Sequence, residues 1–148
     1  MSAPHPDKAL PTRLDRRREQ RHVLVVAVEA VVPEGLAHAD VVVVAPALNS
    51  RLRRWVSDED AARRRAEERL GTLVDRLRLI TGHVEGRVGD ADPLLAIGDA
   101  LATFPADEIV VAAGAEYSTG RALELVARAR ERFALPVLRA GDSQAVAA

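Results

Sequence analysis

Ser118, Thr119 and Gly120 stand directly ahead of a helically periodic segment, the position in this chain best suited to binding chemistry. Free backbone N–H groups at a helix start, with a hydroxyl beside them, hold phosphate and other oxyanions. A plainer use is open to the same residues, since Ser118 or Thr119 can simply cap its own helix. Asp90 and Asp92 have the chemistry of metal ligands or an acid–base pair, but Asp92 before Pro93 also reads as a helix N-cap. Asp58, Glu59 and Asp60 suit the positive end of a helix dipole as well as a cation. Arg51, Arg53, Arg54 and Trp55 could contact phosphate or stack a base, or Trp55 could pack on the helix that follows. His5, His22, His38 and His83 show no ligand spacing. No nucleophile elbow, phosphate loop or dinucleotide fingerprint is present, and nothing assembles a nucleophile, a base and an oxyanion hole. No catalytic or metal-binding residue is nominated, and enzyme is the weaker expectation.

The chain that must position these groups has 148 residues, enough for one domain with a core of its own. One Trp, one Tyr and two Phe leave the core to Val, Leu, Ile and Ala, the usual filling of a helix-covered parallel sheet. A net charge of −1 argues against a nucleic-acid partner, and the absence of Cys removes disulfides and thiolate chemistry. No apolar run approaches the roughly 20 residues that span a bilayer. Residues 1–22 lack the apolar stretch of a secretory leader, so the cytoplasm is the expected location and no membrane partner is expected. Residues 1–21, rich in Arg, read as a flexible basic arm, and 141–148 as a frayed tail.

Between them, 22–140 alternate strands and helices, the pattern of a doubly wound α/β domain. Residues 23–28 and 41–45 are β-branched runs expected to be buried on both faces. Only about ten residues join them, near the minimum for a parallel crossover. Without a helix there, the sheet is expected to be thinly covered on one face. A long helix is expected from Ser57, its cap, to about Ile80, with Ala62, Ala66, Leu70, Leu73 and Leu77 buried and Arg63, Arg64, Glu67, Glu68 and Arg69 outward. Gly71 suggests a close helix–sheet contact, and Gly82 a left-handed C-terminal cap. Residues 83–88 read as an edge strand, 92–104 as a helix, and 108–113 as a buried strand. A helix burying Leu123, Leu125, Val126 and Ala129 is expected over 121–133, and Pro136-Val137-Leu138-Arg139-Ala140 as a last strand.

This order resembles the universal stress protein family, with which it shares three fragments in sequence. They are Gly89-Asp90-Ala91-Asp92-Pro93 leading into Ile97, Ala106-Asp107-Glu108-Ile109-Val110-Val111, and Leu135-Pro136-Val137-Leu138. Ala45-Pro46-Ala47-Leu48-Asn49-Ser50, with Ala66-Glu67-Glu68-Arg69-Leu70, is similar to an actinobacterial branch of that family. The resemblance covers about 22–140. It implies a Rossmann-like, adenine-nucleotide-hydrolase-like sheet of five parallel strands in the order 3-2-1-4-5, ATP as a ligand of many members, and dimers formed through the last strand.

Ligands in such sheets sit beyond the strand carboxyl ends where the order reverses. The residues placed there are Glu29, Pro46 and Gly114, with Asn49, Ser118, Thr119 and Gly120 on the surrounding rim. The resemblance implies an Asp at the end of the first strand, but Val28 stands there and Glu29 is the nearest carboxylate. Gly114 matches the first glycine of the family's phosphate loop, whereas Tyr117 stands where the second would be. A side chain there obstructs the close backbone approach that a triphosphate needs. The expectation is a homodimeric stress-response module with a degenerate ATP loop, acting with an unknown protein partner. The alternative is a protein that still binds an adenine nucleotide or small anion at Glu29, Pro46, Gly114 and Ser118–Gly120.

Overall fold

A computed structural model describes residues 20–48, 59–114 and 119–140. The proposed arm up to Glu19, the tail from Gly141, Ser57 and its cap, and the Arg51–Trp55 stretch lie outside the described residues. Along the chain run β1 (His22–Ala27), β2 (Asp40–Pro46), α1 (Glu59–Arg78), β3 (His83–Gly89), α2 (Pro93–Thr103), β4 (Glu108–Ala112), α3 (Thr119–Arg132) and β5 (Val137–Arg139). All strand pairs are parallel, and the sheet order is β3-β2-β1-β4-β5. The expected α/β fold and strand order are therefore observed.

Alternation along each strand divides the core between the two faces. Leu24, Val26, Val42, Val44, Ile109 and Val111 meet α2 and α3 on one face. Val23, Val25, Val41 and Val43 meet α1 and the first crossover on the other. Continuous burial of β1 and β2 explains their unbroken apolar runs.

The first crossover contains no helix, yet it does not leave the sheet bare. Leu36 and Ala39 are buried on it, Val31 and Val32 are half-buried, and the strand residues beneath are fully covered. Chain direction changes at Gly35 and His38, both at positive φ (75° and 63°). Without helical bonding, the carbonyls of this segment need other donors. Side chains supply them: Arg21 Nη1 donates to Gly35 O at 3.1 Å, Gln20 Nε2 to His38 O at 3.4 Å, and Arg76 Nη1 to Ala30 O at 3.4 Å. Arg21 also pairs with Glu108 at the start of β4. At this amino end of the sheet, His22 lies between Asp40 and Asp107, 3.6 Å from each carboxylate.

Several local expectations shift. In α1 the buried residues are Ala62, Ala66, Leu73, Val74 and Leu77, while Leu70 is half-buried and Ile80 is exposed beyond the helix end. Gly82 is not in the left-handed region; the last turn closes instead through Ile80 N and Thr81 N, both donating to Leu77 O. The close helix–sheet contact falls at Gly86 rather than Gly71. A β-carbon at Gly86 would meet Leu70 and Val74 at 2.9 Å, whereas one at Gly71 would meet nothing within 4 Å. In α2, Asp92 is the N-cap, its Oδ1 accepting from Leu94 N at 3.0 Å. In α3, Ala122 is buried and Leu123 is 57% exposed.

Candidate functional site

The reversal of strand order lies between β1 and β4, so the crevice to inspect is at their carboxyl ends. Just past β1, Val28 N and Glu29 N both donate to Ala112 O, at 3.1 and 2.9 Å. These bonds carry the chain across the end of β4 and set the Glu29 side chain over Gly114. A β-carbon on Gly114 would lie 2.9 Å from Glu29 Oε2 and 3.1 Å from Val31 Cγ2. The bare backbone of Gly114 is thus covered by a carboxylate and a methyl group from the crossover.

On the β2 side of the crevice stands a residue that the sequence reading placed outward. Arg69 of α1 turns in, its Nε donating to Ala27 O at 3.0 Å and its Nη2 to Pro46 O at 2.6 Å. Ala27 and Pro46 are the last residues of β1 and β2. Burial pushes the Arg69 guanidinium down from its ordinary pKa, the charge of Arg65 adds to the shift, and Glu29 acts against it. The signal was available in the spacing. Arg69 falls seven residues after Ala62 and four before Leu73, on the buried stripe rather than opposite it.

Of the nominated residues, the structure brings Glu29 and Gly114 into contact and places the Pro46 carbonyl under Arg69. Thr119 opens α3, and Gly120 lies exposed in its first turn. Asn49, Ser118 and Tyr117 lie outside the described residues. Asp90 is engaged locally, its Oδ1 accepting from Asp92 N at 2.9 Å.

A second concavity of about 600 Å³ lies between the first turn of α1 and the turn after β3, lined by Ala47, Glu59, Asp60, Arg63, Gly89 and Asp90 among others. Despite its acidity, no group of three metal-ligating side chains occurs among the described residues. Gly89 lies at its floor because α2 packs close: a β-carbon there would fall 2.7 Å from Ala96 Cβ and 2.8 Å from Val44. No helix among the described residues is long and apolar enough to cross a membrane. No protein-family model matches the chain, and no curated protein matches it at a significant level.

Proposed function

We propose that the chain is a universal-stress-like regulatory module, homodimeric, whose crevice at the strand carboxyl ends has lost nucleotide binding. One observation carries this reading: the crevice is occupied by the protein's own charged groups. Glu29 lies against Gly114, where an incoming phosphate would need bare backbone, and Arg69 takes the terminal carbonyls of β1 and β2. An adenine nucleotide would have to displace both, at the cost of the hydrogen bonds that Arg69 makes. The strand order and element sequence support the likeness to the stress-protein fold, which by itself assigns no activity.

The dimer reading draws on the outer edge of β5. Leu138 on this strand is 47% exposed. Arg130 of α3 donates to Val137 O from Nε and Nη2, which places its helical stripe on the β5 side. Leu123, seven residues before Arg130, shares that stripe and is also exposed. A short open edge between two exposed leucines suits a second copy of the chain.

Calorimetric titration of the purified protein with ATP and Mg²⁺ tests the reading. The expected result is no binding up to millimolar nucleotide. Micromolar binding that is lost on mutating Gly120 would sink it and support the alternative, an adenine-nucleotide-binding protein using the start of α3.

A further inference from the structure

Arg65 and Arg69 stand four residues apart on one side of α1, and Arg69 reaches the carboxyl edge of the sheet. α1 starts near that edge: Glu59 and Asp60 share a concavity with Ala47 and Gly89, which follow or end β2 and β3. Arg69 already reaches the last carbonyls of β1 and β2. Arg65, four residues nearer the helix start, has its backbone about 6 Å further out along the axis. It is half-buried, unlike the exposed Arg63 and Arg64 beside it. Arg63 is paired with Glu67, whereas Arg65 has neither a hydrogen bond nor an ion pair among the described residues. Arg69 spends Nε and Nη2 on carbonyls and has no partner for Nη1 among the described residues. Glu29 is the carboxylate whose charge acts on Arg69, and it lies on the β4 side against Gly114.

The charge of Arg65 acts against that of Arg69, and a guanidinium fork of N–H donors matches the oxygens of phosphate. We propose that Arg65 and Arg69 form an oxyanion site above the carboxyl ends of β1 and β2, taking a small phosphate-bearing ligand between the two guanidinium groups. Arg65 supplies a bidentate contact, Arg69 one donor from Nη1, and the dianion relieves the repulsion between them. The site uses α1 rather than the loop after β4, so it does not depend on the stress-protein reading.

Thermal unfolding of the full chain in rising inorganic phosphate, against sodium chloride at matched ionic strength, tests it. Wild type is expected to gain Tm in phosphate beyond the chloride effect. Arg65→Gln is expected to lose that gain, with apparent affinity weakened about tenfold or more. Without phosphate, Arg65→Gln should melt at or above wild type, because a like-charge neighbour of Arg69 is gone. Arg63→Gln, which removes an outward charge from the same helix, should respond as wild type does. If Arg65→Gln does not fold, Arg65→Lys carries the test: it keeps the charge, loses the fork, and should respond more weakly. No gain in wild type beyond chloride, or an equal gain in the Arg65 variant, overturns the proposal.

Discussion

The carboxylate of Glu29 stands 2.9 Å from the point where a side chain on Gly114 would begin. Two backbone bonds to Ala112 O hold it there, so the end of β1 is folded down onto the end of β4. Gly114→Ala should therefore destabilise the protein by about 1–3 kcal/mol through overpacking. Urea unfolding measures this as a lower midpoint at unchanged slope. Combining it with Glu29→Ala should give less than the sum of the two single losses, because the clash partner is gone. Strict additivity would place Glu29 elsewhere.

Arg69→Met keeps most of the side chain's volume and removes both donors from the carbonyls of Ala27 and Pro46. The expected loss is about 2–4 kcal/mol, for two partly buried acceptors left without a charged donor. Arg69→Lys, with a single ammonium in place of the fork, should recover only part of it. Equal stability of Arg69→Met and wild type in urea would show that these carbonyls are served by water.

Two glycines should respond with opposite sign. Gly86→Ala drives a β-carbon to 2.9 Å from Leu70 and Val74 and should cost about 1–3 kcal/mol. Gly71→Ala, in the middle of α1 with nothing within 4 Å, should stabilise by about 0.5–1 kcal/mol through helix propensity alone. Thermal unfolding of the two variants side by side decides it. A stabilised Gly86→Ala would mean that α1 packs on β3 less closely than described.

The outer edge of β5 gives the dimer a specific test. Ala140 N donates to Val111 O, so by the alternation of a parallel strand the N–H of Arg139 faces away from β4. Arg139→Pro removes an outward donor without removing a bond of the β4–β5 ladder. Light scattering should show the wild-type mass of two chains falling to one in the variant. An unchanged mass counts against this edge as the interface.

Most of the sheet was legible because burial on both faces demands unbroken apolar runs, as in β1 and β2. The start of α2 was legible because Asp92-Pro93 admits few other conformations. Leu123 was expected inward and faces out because Ala122 beside it also fits an apolar stripe, and only packing against the sheet shows that the smaller residue faces inward. Arg69 was misplaced because charge was taken to mean solvent, although its spacing matched the buried set. The covering of the sheet by a helix-free crossover was not legible at all. It depends on Arg21 and Arg76, residues that propensity treats as surface. The pairing of Glu29 with Gly114 likewise needs the β1–β4 register, which no local pattern encodes.

The side-chain clamps on the first crossover also set an order of events. Among the described residues, the backbone bond within the segment is Ala39 N to Leu36 O, and Gln20, Arg21 and Arg76 each grip it through a side chain. Arg76 is made 46 residues after Ala30. Arg21 is itself oriented by Glu108, which is synthesised later still. A nascent chain that has completed β1 and β2 therefore lacks part of the hold on their link until α1 and β4 arrive. In the finished protein the same dependence runs backwards: the amides of 30–38 should lose protection from hydrogen exchange before the strands on either side.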